Sequence, residues 1–405
     1  MKLLLLGINY SPEPVGIGPY SAGFAESMAA RGHDVSVIAA QPYYPQWKAH
    51  SGHHGWQSEK QGGVRITRCP HYIPENPSGA KRLLHHSSFA LSAIAPAISQ
   101  AAKRPDIVLA VAPALLSVPV AWLAAKLGGA KLWIHVQDFE VEAAIATGLI
   151  DGKSALARMA DTVEGRLLQS ADRVSTISPQ MRDRLAAKGV APEKIVEMRN
   201  WANHLVDPAA PPLGDYRQEW GVGQRKIALY SGNIANKQGL DIVIEAARRL
   251  SHRDDLAFVI CGEGPNRKRL QALASGLDHV QFHDLQPAER MGEMLSGAFV
   301  HLLPQLADAL DLVLPSKLTN MLASGRPVVA TAARGTGLAD EVEGCGIVVP
   351  PEDPAALADA IAALADDPAR ADRLGEEARK RARERWARES IIDAVEREML
   401  DMLGR

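Results

Sequence analysis

Leu229-Tyr-Ser-Gly-Asn-Ile-Ala-Asn-Lys-Gln-Gly-Leu-Asp241 carries an apolar run, Ile227–Tyr230, into an amphipathic stretch that begins near Leu240. The run stops at Ser231-Gly232-Asn233, and Lys237 and Gly239 follow before helical spacing sets in. This is the pattern of a strand, a glycine-bearing loop and a helix N-terminus, with one lysine held over the turn. Unpaired backbone N–H groups and the positive end of a helix dipole make such a turn an anion site. A lysine beside it adds a mobile unit charge suited to a phosphate oxygen. Glycine and lysine are common in loops of this kind, so the turn takes its meaning from what recurs around it.

The same alternation runs along nearly the whole chain. In the first half, strands are expected at Lys2–Leu6, Asp34–Ala39, Val64–Arg68, Ile107–Val111, Lys131–Val136 and Arg173–Thr176, with helical stretches such as Gly18–Arg31, Leu115–Leu127 and Leu156–Gln169 between them. Continuous apolar strands separated by helices indicate parallel sheet covered on both faces. Pro208, Pro211, Pro212 and several glycines make Asn203–Gly223 read as a linker. The alternation then restarts at Lys226–Tyr230, Leu256–Cys261, Val280–Phe282, Val300–Leu303, Pro327–Thr331 and Gly346–Val349. The expected fold is α/β, with doubly wound parallel-sheet (Rossmann-like) domains over residues 1–205 and 206–384 facing across a cleft. The charged helix 385–405, with Trp386, Ile391, Ile392, Val395, Met399 and Leu403 on one stripe, is expected to pack back on the first domain. Ligands of open α/β sheets sit at the carboxyl ends of the strands, which makes the cleft the expected active site.

Composition narrows the function. A chain of 405 residues exceeds the usual single core. Its formal net charge of -2 disfavours general nucleic-acid binding, which needs a basic excess. The three cysteines, Cys69, Cys261 and Cys345, form no Cys-x-x-Cys pair and suit a reducing compartment. The start Met1-Lys-Leu-Leu-Leu-Leu-Gly7 loses its apolar character at Asn9, Pro12, Glu13 and Pro14, so it reads as a buried strand rather than a signal peptide. No window approaches the roughly 18 apolar residues of a spanning helix. A cytoplasmic protein is expected, with peripheral contact at the membrane's inner face left open. That alternative rests on residues 78–98, where Lys81, Arg82, His85 and His86 precede an apolar stretch. A buried helix and an interfacial one both fit.

Several loops could carry chemistry. The first, Gly7-Ile-Asn-Tyr-Ser-Pro-Glu-Pro-Val-Gly-Ile-Gly-Pro-Tyr20, places Gly16 and Gly18 just before a helix, where backbone can approach a ligand. A dinucleotide fingerprint would need glycine at Ser21, so a Rossmann dehydrogenase is disfavoured. His135 and Asp138 stand at the end of a parallel strand, where polar side chains face the ligand side; a hydrogen-bonded core histidine is the plainer reading. In the second half, Val259-Ile-Cys-Gly-Glu-Gly-Pro265 supplies another strand and glycine turn through Gly262 and Gly264. In Leu314-Pro-Ser-Lys-Leu-Thr-Asn-Met321, Ser316 and Lys317 open a further helix. Two lysine-bearing helix starts on one domain could hold the phosphates of one diphosphate. Each exposed charge–dipole contact is worth only about 0.3–1 kcal/mol, so several must converge. There is no Asp-x-Asp motif, metal-spaced carboxylate cluster, Walker loop or Gly-x-Ser-x-Gly elbow. No metal or other cofactor is expected.

Gly7-Ile-Asn-Tyr-Ser-Pro-Glu13, Pro42-Tyr-Tyr-Pro-Gln-Trp47, His135-Val-Gln-Asp-Phe-Glu140 and Pro315-Ser-Lys-Leu-Thr-Asn-Met321 resemble, in this order, the family-four glycosyltransferases of GT-B fold, nearest to the colanic-acid-type exopolysaccharide enzymes. The resemblance spans essentially the whole chain. It implies transfer of a sugar from a nucleotide-sugar donor to a lipid-linked oligosaccharide acceptor, with retention and without metal. It assigns Lys237 to the donor diphosphate, with Gly232 and Asn233 at a Gly-Arg pair where asparagine replaces the arginine. Gly262-Glu-Gly-Pro265 falls on the nucleotide side, and Ser316 and Lys317 fall at the distal phosphate. Two family glutamates correspond to Leu312 and Asn320; Asn320 can still meet ribose hydroxyls, while Asp308 or Asp311 would have to serve for Leu312. Gly16 and Gly18 match the glycine loop at the donor phosphate, and His135 or Asp138 the polar residue on the transferred sugar. Asn200 aligns with the asparagine of the turn before the linker. The substitutions at Leu312 and Asn233 leave an inactive nucleotide-sugar-binding subunit open, and the shared fold leaves a nucleotide-sugar 2-epimerase open.

Overall fold

A computed structural model describes residues 1–405 apart from 15, 76–78, 114, 147–150, 153, 203–214, 235–237 and 307–315, and only the backbone of 143, 144, 146, 156, 288 and 316. The leucine run of β1 (Lys2–Gly7) lies between β2 (Asp34–Ala40) and β5 (Ile107–Ala112), parallel to both. Leu3–Leu6 stand in register with Val35–Ile38 on one side and Ile107–Ala110 on the other. With β3 (Gln57–Gln61), β4 (Val64–Cys69), β6 (Lys131–Val136), β7 (Arg173–Thr176) and β8 (Ile195–Glu197) they form a sheet of order β3-β4-β2-β1-β5-β6-β7-β8, in which only β3 is antiparallel. Successive residues of a strand face opposite sides, so an all-apolar strand needs cover on both. Leu4 and Leu6 accordingly pack with Phe89, Ala93 and Ala97 of the helix Gly79–Ala101 and with Ala121 and Ala124 of the helix Val118–Gly128. Leu3 and Leu5 are equally buried on the other face.

The second sheet contains β9 (Lys226–Ser231), β10 (Leu256–Cys261), β11 (Val280–His283), β12 (Val300–Leu303), β13 (Val328–Thr331) and β14 (Gly346–Val349). All are parallel, in the order β11-β10-β9-β12-β13-β14. Winding reverses at β1 in the first sheet and at β9 in the second. The loops after these strands therefore start at the switch points, where open α/β sheets hold ligands.

The chain divides into two compact units, Met1–Arg199 with Ile391–Arg405, and Asn200–Ser390. The division falls at Asn200 rather than at 205/206. Ala202 N–H donates to the carbonyl of Trp386 at 3.1 Å, which ties this segment to the second unit. Within the first unit the C-terminal helix, Arg388–Met402, buries Ile391, Ile392, Val395 and Met399, whereas Trp386 ends the preceding helix and packs in the second unit's core with Leu318 and Ala378. Glu396 meets Arg31 Nη1 and His33 Nε2, each at 2.6 Å, and Arg405 pairs with Asp106 at 3.0 Å.

Three details differ from the sequence reading. β3 is a polar edge strand, Gln-Ser-Glu-Lys-Gln, whose largely exposed side chains leave no apolar alternation to detect. β8 has only three residues, too few for a periodic signal. Part of the stretch read as linker is ordered core: Asp215 caps a short helix, Tyr216–Glu219, and Tyr216 and Val222 are buried. Arg290 lies 4.0 Å from the Tyr216 ring centroid and pairs with Glu219 at 2.7 Å. Of the segment 78–98, the part from Gly79 onward is a helix with one buried face, as the buried reading expects, and one exposed face. The helix Gly79–Ala101 buries His85, Phe89, Ala93 and Ala97, yet leaves Leu84, Leu91 and Ile98 exposed at 54%, 70% and 46%. Among the described residues no helix is long and apolar enough to cross a membrane.

Candidate active site

In the first unit, the loop leaving β1 is organised around one buried carboxylate. Glu13 accepts from the backbone N–H groups of Tyr43 and Tyr44, at 3.1 and 3.0 Å, and from Asn9 Nδ2 at 2.9 Å. Burial raises its pKa, and these donors oppose that rise. Gly16 turns the chain at φ +74°, and a Cβ there would stand 3.2 Å from the Tyr44 ring. Gly18 opens the helix Gly18–Ala30, where a Cβ would come within 3.0 Å of Glu13 Cβ. Both expected glycines thus let the backbone pass close to Tyr44 and Glu13.

His135 lies near the carboxyl end of β6, two strands from β1. Trp133 Nε1–H donates to Ser175 Oγ at 2.7 Å, and the same oxygen lies 2.9 Å from His135 Nδ1. An indole can only donate, so the serine hydroxyl accepts from it, while the imidazole meets the same oxygen through Nδ1. Burial lowers the His135 pKa to about 4, so the ring is neutral near pH 7. Its Nε2 is buried with no partner among the described residues. Asp138, two residues beyond the strand, is half-buried.

A cluster of rings, which the sequence had not marked as a site, lies behind the loop through Tyr44. His85 has its ring centroid 4.6 Å from Tyr43, 4.8 Å from His71 and 5.2 Å from Trp47. Its Nδ1 lies 2.6 Å from the carbonyl of Tyr72 and donates there, leaving Nε2 without a partner. Both nitrogens of His71 are likewise buried and unpaired among the described residues. Burial lowers the two pKa values to about 3 and about 4, so both rings are neutral.

In the second unit, two glycine turns lock together at the ends of β9 and β10. Gly232 N–H donates to Cys261 O at 2.9 Å, Ile234 N–H to Glu263 O at 2.8 Å and Asn266 N–H to Ile234 O at 3.1 Å. Gly262 and Gly264 have φ of +150° and +155°, and a Cβ on either would overlap the backbone of Gly232 or Ile234. Only glycine allows so close an approach of two backbones. Lys317, the second residue of the helix Ser316–Ala323, extends over this platform. A Cβ on Gly232 would meet Lys317 Cδ at 3.6 Å and Nζ at 3.7 Å. Lys317 Nζ donates to Tyr230 Oη at 3.2 Å and lies 4.3 Å from that ring's centroid. Tyr230 in turn donates to the carbonyl of Asn233 at 2.6 Å. Desolvation lowers the Lys317 pKa to about 7.

Of the expected donor-side residues, the second unit thus gathers Gly232, Asn233, Gly262, Gly264 and Lys317, with Ser316 and Asn320 on the helix that carries Lys317. Asn200 is the first residue of the same unit. Lys237, Asp308, Asp311 and Leu312 lie outside the described residues. Sequence reasoning missed Tyr230, Glu13 and Ser175. Tyr230 and Glu13 had a legible signal: a tyrosine ending an apolar strand at a glycine turn, and a carboxylate enclosed by two prolines. Ser175 had none, since its role comes from register with His135 in the neighbouring strand. Among the described residues no group of three or more His, Cys, Asp or Glu is placed to hold a metal ion.

Residues 15–201 match the family described as glycosyl transferase 4-like domain, and residues 214–381 match glycosyl transferases group 1. The chain is 42% identical over 372 residues to the putative colanic acid biosynthesis glycosyl transferase WcaI of Escherichia coli K12, an alignment covering 88% of this chain and 90% of that protein. Among solved structures, sucrose-phosphate synthase of Thermosynechococcus elongatus superposes with a TM-score of 0.74 at 20% identity, over 100% of this chain and 99% of that one. Anabaena HepE, solved with UDP and glucose, superposes with a TM-score of 0.69 at 16% identity, over 99% of this chain and 100% of that one. At such identities the structural likeness speaks for the fold, which is GT-B. The two family matches and the relative aligned along most of both chains establish the rest: the chain belongs to the family-four, group 1 glycosyltransferases.

Proposed function

We propose that this glycosyltransferase moves a sugar from a nucleoside-diphosphate sugar to a lipid-linked oligosaccharide in exopolysaccharide assembly, with retention at the anomeric carbon and without a metal ion. The observation that carries the donor half is the platform of Gly232, Gly262 and Gly264 beneath the Lys317 ammonium, at the switch point of the second sheet. A diphosphate there would meet the Lys317 cation above a backbone that no side chain obstructs. Lys237 is the proposed second cation, with Ser316 at the distal phosphate and Asn320, Asn233 and Asn200 as polar partners of the donor. HepE, a neighbour in fold, was solved with UDP and glucose, which fits a donor of this class.

Glycosyl transfer passes through an oxocarbenium-like state as the nucleoside diphosphate departs. Negative charge grows on the diphosphate, and preorganised donors that meet it usually supply the largest catalytic contribution. Lys237 and Lys317 fill that role in this proposal. The neutral His135 ring is suited to a hydroxyl of the transferred sugar, and Asp138, Gly16 and Gly18 are further proposed contacts of the donor. No metal is assigned a step, since the described carboxylates do not converge.

The lipid-linked acceptor rests on the helix Gly79–Ala101. Leu84, Leu91 and Ile98 recur at intervals of seven residues, a spacing that keeps them on one exposed face. Trp56, 62% exposed, donates its indole N–H to Ser92 O at 3.3 Å and so stands beside that row. Residues 79–104 contain Lys81, Arg82, Lys103 and Arg104 and no Asp or Glu. Apolar side chains with a tryptophan and cations fit the interface of an anionic bilayer. The test is incubation with labelled nucleotide sugars, with and without a bacterial lipid extract. The label should move into the lipid phase only when the extract is present. An altered free sugar nucleotide formed from donor alone would instead identify an epimerase.

A further inference from the structure

Lys317 is a half-buried lysine over the glycine turn. Among the described residues no carboxylate lies within ion-pair distance of its Nζ, whose neighbours are the Tyr230 hydroxyl, the Tyr230 ring and Gly232. The tyrosine proton is already committed to Asn233 O, so the phenol offers Nζ a lone pair and no negative charge. An unpaired ammonium held out of water is costly, and a buried lysine commonly answers by giving up its proton. Here the group faces the glycine turn at the carboxyl end of β9, where no side chain stands between it and an incoming ligand. We propose that Lys317 is a proton-coupled anion receptor, taking a proton from solvent as the diphosphate of a nucleotide sugar arrives and releasing it as the diphosphate leaves.

The sign follows from linkage. With the site empty, desolvation lowers the Lys317 pKa from 10.5 to about 7. Between those values the unfolded chain binds more protons at this residue than the folded one, so the empty fold gains stability as pH rises through that window. A bound diphosphate reverses the balance, because an adjacent anion favours the ammonium. Binding above pH 7 then takes up a proton, and affinity falls as pH rises, by about tenfold per unit at the limit. The titratable group facing Lys317 among the described residues is Tyr230, whose hydroxyl burial holds far above its ordinary range. It stays protonated throughout and contributes no slope. The sugar-linked diphosphate is itself fully ionised here, so any proton taken up belongs to the protein.

The inference rests on the nucleotide-sugar reading but fails separately from it. UDP-, GDP-, ADP- and dTDP-glucose are titrated into the intact protein by calorimetry from pH 6.5 to 8.5, in buffers of differing ionisation enthalpy, with inorganic phosphate as a further arm. For the nucleotide sugar that binds, uptake approaching one proton is expected at pH 8, with affinity falling about tenfold between pH 7.5 and 8.5. Lys317→Met should bind more weakly at pH 7, with neither proton uptake nor slope, and should melt no lower than the wild type because it removes a desolvated amine. A flat pH profile in the wild type, or an unchanged slope in Lys317→Met, overturns the inference and leaves the donor reading standing. Proton-coupled binding of inorganic phosphate with none of the nucleotide sugars would overturn the assignment to the donor. Failure of all four nucleotide sugars and of phosphate to bind would overturn both.

Discussion

Ser175 Oγ stands 2.9 Å from His135 Nδ1 while accepting the indole N–H of Trp133 at 2.7 Å. One serine thus joins a buried, neutral imidazole to an indole. Serine donation to Nδ1 puts the ring proton on Nε2, and long-range 15N spectra near pH 7 should show that form; an Nδ1–H form would mean that the serine accepts from both rings. Ser175→Ala removes both contacts and strands the Trp133 N–H. A lost buried hydrogen bond costs about 1–3 kcal/mol, so the melting temperature should fall. Turnover should drop further than stability alone explains, by about tenfold or more, if the ring's N–H meets substrate.

The two interlocked glycine turns make a prediction about stability. A Cβ at Gly262 would overlap the carbonyl of Gly232, and the φ of +150° resists any other residue. Gly262→Ala should destabilise the second unit by about 2 kcal/mol or more, since neither backbone can yield cheaply. Gly276 is the control. It also has positive φ, at +82°, but nothing lies within 4 Å of its Cβ position, so Gly276→Ala should cost about 1–2 kcal/mol. Equal losses in melting temperature for the two variants would mean that the turns are not packed as described.

The exposed row on the helix Gly79–Ala101 should bind membranes. Leu84→Ser, Leu91→Ser and Ile98→Ser together remove apolar side chains worth up to about 1.5–3 kcal/mol each when fully buried. Lys81→Glu should weaken binding by about 1–2 kcal/mol and lower its sensitivity to salt. Co-sedimentation with vesicles containing phosphatidylglycerol measures both, with the melting curve as the check on folding. Unchanged co-sedimentation of the triple variant would remove this face as the docking surface.

Lys237→Ala should cripple transfer. Asn233 leaves its turn without an arginine, so loss of one more cation should cost about 10²–10³ in turnover, by analogy with one oxyanion-hole donor. Near-wild-type turnover in a well-folded variant would mean that the donor diphosphate is held elsewhere.

The α/β architecture was legible because strands buried on both faces write themselves as apolar runs, from Leu3–Leu6 to Val328–Thr331. The polar edge strand Gln57–Gln61 was silent, since exposure removes the very signal that marks a strand. The glycine loops announced themselves, for glycine is the residue that lets Gly262 meet Gly232. Lys317 was visible as a lysine at a helix start, but its desolvation beside Tyr230 depends on contacts 87 residues apart in the chain. The pairing of His135 with Ser175 depends on strand register and leaves no trace in either local sequence. Leu84, Leu91 and Ile98 show why residues 78–98 resisted a single reading: one helix serves the core and the surface.

Transfer onto lipid, followed to the anomeric configuration of the product, puts the whole account at risk in one measurement. The protein is treated with EDTA and incubated with a labelled nucleotide sugar and a lipid-linked oligosaccharide fraction, and the product is read by NMR. The account expects label in the lipid phase at an undiminished rate, with the sugar linked in the same anomeric configuration as in the donor. An inverted linkage, a strict requirement for added Mg²⁺ or Mn²⁺, or label that never enters the lipid phase would contradict it.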